Sequence, residues 1–152
     1  MIYIGIDPGV SGGIAALDET GLPLNVQKMP ETEQDTLELF RWVVALCERS
    51  GDKARPRAVL ERVHSMPSQG HNGAFTFGKG YGGLRMALVA CEIPFNEATP
   101  QTWQRTMQCL TKGQKNVSKR RAQELFPGVK CTHAISDALL IAEFCRRQER
   151  GQ

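Results

Sequence analysis

Three carboxylic acids at the ends of predicted secondary-structure elements are the residues best placed to do chemistry. Asp7 follows an apolar alternation at residues 2–6 that is typical of a β-strand, and a Pro-Gly turn comes next. Glu61 follows a short apolar run at residues 58–60, which we interpret as a buried strand. Asp137 lies in the first turns of a predicted C-terminal helix. If the two strands share a sheet and the helix packs across them, the carboxylates converge.

Converging carboxylates repel one another unless a cation neutralises them. Oxygen ligands in a chain without a Cys-x-x-Cys pair favour Mg²⁺ over zinc. Two such ions about 3.5–4 Å apart would activate a water and stabilise the leaving oxygen of a phosphodiester. His133 comes one helical turn before Asp137, so it is a candidate fourth ligand or proton carrier.

Each candidate also has an ordinary structural interpretation. Asp7 precedes Pro-Gly and fits simple turn chemistry, whereas Glu61 would be an exposed acid paired with Arg62. An acid or a histidine at the start of a helix, as at Asp137 and His133, is also common without any catalytic role.

The elements that must position these acids form a single α/β domain spanning residues 1–152. Three sequential strands joined by short loops predict an antiparallel meander, at residues 2–6, 14–17 and 22–28. Two further strands, at residues 58–60 and 93–97, complete a mixed five-stranded sheet flanked by helices. Five helices are predicted. The first begins after Pro30, the second spans residues 84–91 and the third begins at Thr99-Pro100. The fourth spans residues 118–126 with Ser118 as its cap, and the fifth begins at His133 or Ser136.

Residues 62–81 show no periodicity and are rich in glycine, so we interpret them as a long loop. Phe75 and Phe77 lie within this segment. Two interpretations of the pair are open: a core plug beneath a mobile loop, or exposed rings that stack on nucleic-acid bases at about 1–3 kcal/mol each.

Composition and charge narrow the class of protein. No apolar run reaches the ~18 residues of a membrane span, which predicts a protein with no membrane partner. Five cysteines without a Cys-x-x-Cys pair favour a reducing compartment, so we expect a cytoplasmic location. Residues 105–121 carry six basic side chains and no acid, a pattern that favours an anionic polymer as partner. A helix face exposed to solvent would show the same charge pattern.

Four ordered motifs carry a family resemblance: Ile-Gly-Ile-Asp-Pro-Gly-x-Ser-Gly at residues 4–12, Leu-Glu-Arg-Val at 60–63, Pro-Gln-Thr-Trp at 100–103 and Ser-Asp-Ala-Leu-Leu-Ile-Ala at 136–142. Together they resemble the RuvC-type Holliday junction resolvases, with the phage and organellar branches as the nearest match. The resemblance implies a ribonuclease H-like fold and a homodimer. Each subunit would use Mg²⁺, or Mn²⁺ in its place, to nick one of two opposed strands of a four-way DNA junction and leave 5′-phosphate ends. A phage-encoded member would act in the bacterial host cytoplasm.

The same resemblance implies roles for individual residues. Asp7, Glu61 and Asp137 match the family's metal-binding acids, while a further acid of the better-known members falls on Ala134, which makes His133 the candidate replacement. The segment that begins at residue 63 resembles the loop that family members insert at the junction centre. Candidate contacts to DNA are Ser11, Phe75, Phe77, Lys112, Lys115, Lys119 and Arg120, and Lys112 and Lys115 are also candidates for stabilising charge in the transition state.

Other functions stay open from the sequence. A related ribonuclease H-like nuclease could act on other branched DNA or on RNA–DNA hybrids, and a non-catalytic module of the same fold could only bind junctions. An actin-like phosphotransferase would cradle a nucleotide phosphate with residues 7–13, but that architecture needs a duplicated domain, for which 152 residues are too few. We therefore expect no nucleotide cofactor.

Overall fold

The computed structural model describes residues 1–49, 55–63, 70–110, 114 and 116–151. Its strands are β1 (Tyr3–Asp7), β2 (Gly13–Leu17), β3 (Pro23–Lys28), β4 (Arg57–Glu61) and β5 (Phe95–Ala98). Its helices are α1 (Glu33–Arg49), α2 (Gly70–Ala90), α3 (Pro100–Thr106), α4 (Asn116–Leu125) and α5 (His133–Glu149). Within these described ranges, no helix is both long enough and apolar enough to span a membrane.

The strands form one five-stranded sheet in the order β3-β2-β1-β4-β5. Strands β1, β2 and β3 pair antiparallel, as the short loops between them predict. Strand β4 pairs parallel to β1, and β5 pairs parallel to β4, because a helix separates each of these strands from the one before it. The predicted mixed sheet, a meander with two further strands, is confirmed.

The central strand β1 is buried on both faces of the sheet. Ile4 and Ile6 point into a core shared with α1 and α2, whereas Tyr3 belongs to the core beneath α5. Gly5 lets α5 lie directly on β1, because a Cβ at this position would overlap backbone atoms of α5. This close approach carries the first turns of α5 over the carboxyl end of β1.

Helix α2 corrects the predicted loop. It begins at Gly70 rather than at residue 84, so Phe75 and Phe77 lie on a helix. Its buried positions are confined to the C-terminal half, at Leu84, Ala87 and Leu88, which is why the first half shows no apolar periodicity. That first half is attached to α1 by an ion pair between Lys79 Nζ and Glu33 Oε1 at 3.4 Å.

Two predicted helix starts have different outcomes. Thr99 caps α3 as predicted, its hydroxyl oxygen accepting a hydrogen bond from the Thr102 amide at 3.3 Å. Ser118 does not cap α4, which begins at Asn116; the serine is buried within the helix instead.

Candidate active site

Asp7 and Glu61 are neighbours at the carboxyl edge of the sheet. Ile6 of β1 is in register with Leu60 of β4, so the next residue of each parallel strand is one of the two acids. Their side chains share a hydrogen bond. Glu61 is only 7% exposed, which rules out the interpretation of an exposed acid paired with Arg62.

A tight turn holds the backbone of Asp7 in place. The Gly12 amide donates to the Gly9 carbonyl at 3.0 Å, and Gly9 has a φ of 114°, a conformation that glycine adopts without strain. A Cβ at Gly12 would overlap the Asp7 carbonyl, so only glycine fits beneath the strand end. The backbone beside the acid therefore requires the two glycines of the Pro-Gly-x-Ser-Gly pattern.

Burial and mutual repulsion raise the pKa of both acids. Burial is the largest cause, and together with the charges of Glu61 and Asp137 it raises the pKa of Asp7 to about 8. The pKa of Glu61 is raised to about 6, because burial and the charge of Asp137 outweigh the hydrogen bond from Trp103, which lowers it. The shared hydrogen bond raises the pKa of Asp7 and lowers that of Glu61, as expected if Asp7 holds the proton and donates it. The structure thus brings the three acids into one electrostatic cluster.

The donor chemistry of this cluster fits a hard divalent cation. Across the described ranges, no group of three or more His, Cys, Asp or Glu side chains is arranged to hold a metal ion as it stands. The Asp7–Glu61 pair instead shares a proton, with the charge of Asp137 close enough to act on both acids. A cation that replaced this proton would relieve the repulsion and meet the oxygen ligands that Mg²⁺ prefers.

Sequence reasoning missed the role of Trp103 in this site. Its side chain is fully buried, and its indole Nε1 donates a hydrogen bond to Glu61 Oε1 at 2.8 Å. The Pro-Gln-Thr-Trp motif contains this residue, but nothing in the spacing indicates which acid the indole contacts. The pairing becomes visible only once β4 and α3 are packed together.

The other polar candidates that the structure describes are exposed at the surface. His133 is the first residue of α5 and is exposed, and it is not among the charges that shift the pKa of Asp7 or Glu61. Lys119 and Arg120 are exposed on α4, and Ser11 is exposed on the turn after β1. Lys112 and Lys115 lie outside the described residues.

The two aromatic candidates have different environments. Phe75 is 76% exposed. Phe77 is partly buried, stacks on Tyr81 with ring centroids 6.2 Å apart, and has its Cε2 atom 3.7 Å from where a Cβ on Gly9 would stand. Phe77 therefore packs beside the turn that carries Asp7, whereas Phe75 points to solvent. Neither ring is a core plug.

Comparison with known proteins identifies the architecture. No protein-family model and no curated protein matches the sequence. A structure of Thermus thermophilus RuvC in complex with a Holliday junction substrate is similar with a TM-score of 0.65 and 17% identity, covering 99% of this chain and 96% of that chain. A second Thermus thermophilus RuvC structure has a TM-score of 0.62 and 18% identity, covering 99% and 97%. The chain has the RuvC fold. The ribonuclease H-like α/β architecture predicted from the sequence is thereby confirmed.

Proposed function

We propose that the protein is a Holliday junction resolvase, a metal-dependent endonuclease that nicks opposed strands of a four-way DNA junction. The observation that carries this proposal is the buried Asp7–Glu61 pair at adjacent parallel strand ends, under the charge of Asp137, within a RuvC fold. It is supported by the Holliday junction substrate bound to the similar Thermus thermophilus protein.

Asp7, Glu61 and Asp137 would hold Mg²⁺, with two ions per site as the arrangement that suits phosphodiester cleavage and Mn²⁺ as the substitute. The metal would supply the activation of water and the stabilisation of the leaving oxygen. The fold holds these acids close together, and because their negative charges repel one another, the site favours binding of a cation. His133, the exposed first residue of α5, is the candidate fourth ligand.

The proposed DNA surface combines cations and exposed rings. Lys119 and Arg120 project from α4, and Lys112 and Lys115 precede that helix in the chain. Contacts of this type bind phosphates without reading sequence. Phe75 would stack on a base opened at the junction centre.

We further propose that α2 is the contact surface of a homodimer. Large apolar side chains are exposed on its C-terminal half at Met86 and Val89, three residues apart and therefore near one face. Gly82 and Gly78 lie four and eight residues before Met86, towards the same face, and no described residue outside the adjoining helix backbone comes within 4 Å of where their Cβ atoms would stand. A helix-interior glycine costs about 0.5–1 kcal/mol relative to alanine, and packing within the chain gives no reason for that cost. A second copy of α2 approaching closely would supply one, and it would cover the apolar side chains.

The test is a synthetic four-way junction labelled on each strand in turn, incubated with Mg²⁺ and resolved on a denaturing gel. We expect paired nicks at symmetric positions in opposed strands, absent with EDTA and absent on linear duplex of the same sequence. Equal cutting of flaps or RNA–DNA hybrids would assign the same site to a related nuclease. Tight junction binding without cutting would make the protein a binding module and refute the proposal.

A further inference from the structure

The carboxylate of Glu61 is held by a buried tryptophan. Trp103 is 0% exposed and lies in the same apolar cluster as Val59, Met107 and Cys109. Its indole Nε1 reaches Glu61 Oε1 at 2.8 Å. An indole N–H can only donate, and leaving it buried without an acceptor is unfavourable. The hydrogen bond is therefore a firm link between the core and one oxygen of the acid.

The chain around Trp103 is built to fix this indole. Ala98, the last residue of β5, is in register with Glu61, and α3 begins two residues later. The C-terminal end of the helix is also anchored, since the Met107 amide donates to the Trp103 carbonyl at 2.8 Å and Arg121 Nε donates to the Met107 carbonyl at 3.0 Å. Short connections and anchors at both ends leave the ring little freedom to move.

We propose that Trp103 is a positioning residue for the cation site, an inference that rests on the proposed function. By holding Oε1, the indole keeps Glu61 in one orientation beside Asp7, with which it shares a hydrogen bond. The orientation is then already set before a cation enters, so no binding energy is spent on ordering this side chain. Hydrogen-bond partners that orient metal ligands typically change metal affinity or activity by about 10–100-fold when removed.

The protein offers a matched control, because its only other tryptophan is Trp42. Trp42 lies on α1 and is 38% exposed. We expect Trp103→Phe, which keeps an aromatic ring but removes the N–H, to raise the Mg²⁺ concentration for half-maximal junction cleavage by about 10–100-fold. Excess Mg²⁺ should restore much of the rate, and junction binding in EDTA should stay within about twofold of the wild type. Trp42→Phe should leave all three quantities unchanged.

A second measurement does not depend on cleavage. In Trp42→Phe the sole tryptophan is Trp103, so its fluorescence reports directly on the indole bonded to Glu61. Titration with Mg²⁺ should give a saturable change in emission, and adding Glu61→Gln should abolish that change. In Trp103→Phe the sole tryptophan is Trp42, and its emission should not change when Mg²⁺ is added. This titration also decides the matter if Trp103→Phe fails to fold by circular dichroism.

The outcomes separate the inference from the function on which it rests. An unchanged Mg²⁺ requirement in folded Trp103→Phe, or a silent Trp103 in a protein that cuts junctions with Mg²⁺, would overturn the positioning role while resolvase activity stands. A wild type that cuts no branched DNA but shows the Glu61-dependent emission change would overturn the proposed function and keep the positioning role.

Discussion

Replacing Asp7 by asparagine should stabilise the metal-free protein at alkaline pH. The pKa of Asp7 is raised from 3.8 to about 8, so the folded protein favours the protonated acid more than the unfolded chain does. A raised folded-state pKa contributes stability that is fully present below the unfolded value, near pH 4, and is lost as the pH rises through about 8. Asparagine has nearly the same shape and never ionises, so Asp7→Asn avoids that loss.

The size of the effect follows from the same shift. A difference of about four pH units corresponds to about 6 kcal/mol at roughly 1.4 kcal/mol per unit, which is the ceiling for ionising this acid alone. Water that enters the site when the acid ionises recovers part of that cost, so we expect Asp7→Asn to gain about 1–3 kcal/mol over the wild type at pH 9. At pH 5 the folded wild type keeps its proton while the unfolded chain has released it, so the loss is limited to about one pH unit, and the gain for Asp7→Asn should fall to about 1 kcal/mol or less.

The assay is urea unfolding in EDTA at pH 5, 7 and 9, with Glu48→Gln, a change of an exposed acid on α1, as the control. Adding Mg²⁺ at pH 7 should reverse the order, because a cation that binds the folded wild type stabilises it, whereas the variant has lost a ligand. A gain for Asp7→Asn that is no larger at pH 9 than at pH 5 would refute the reasoning that burial and repulsion strain this site.

Three further perturbations test other parts of the structure. Gly5→Ala should lower the free energy of unfolding by about 3 kcal/mol because its methyl group overlaps the backbone of α5, and an unchanged melting temperature would contradict that packing. Glu143→Gln should lower the free energy of unfolding by about 1–3 kcal/mol at pH 7, because the buried acid binds two arginines of α5 at 2.7 and 2.8 Å. Those arginines lower the pKa of Glu143, so the difference from the wild type should disappear as the pH falls through that pKa. A difference that does not change with pH in urea unfolding would count against the ion pairs. Met86→Glu should make the protein monomeric, as measured by light scattering, without loss of helix content. A wild type that is already monomeric would refute the proposal that α2 forms a dimer interface.

Local sequence patterns were sufficient to predict the sheet and the position of Asp7. The alternation at residues 2–6, the Pro-Gly turn and the short loops to β2 and β3 are local signals, and the register of β1 with β4 then brings Asp7 and Glu61 to one edge. Short segments whose structure is dictated by neighbouring residues are those that sequence reasoning recovers best.

The parts that the sequence did not predict depend on tertiary contacts. The first half of α2 buries almost nothing and contains several glycines, so neither periodicity nor helix propensity indicates a helix there. The hydrogen bond between Trp103 and Glu61 joins residues 42 positions apart, a distance at which no local pattern operates. Ser118 fits the pattern of a cap, but α4 begins two residues earlier and buries it.

The most direct test of the central claim is the cutting of a supercoiled plasmid that extrudes a cruciform, with Mg²⁺ or with EDTA. A cruciform is a four-way junction that is lost when supercoiling is released, so two nicks must fall within one binding event to yield linear plasmid. We predict linear product whose ends map to opposed strands at the cruciform, with none in EDTA and none from Asp7→Asn. Nicked circles alone, or linear product that persists in EDTA, would contradict a metal-dependent resolvase acting as a dimer.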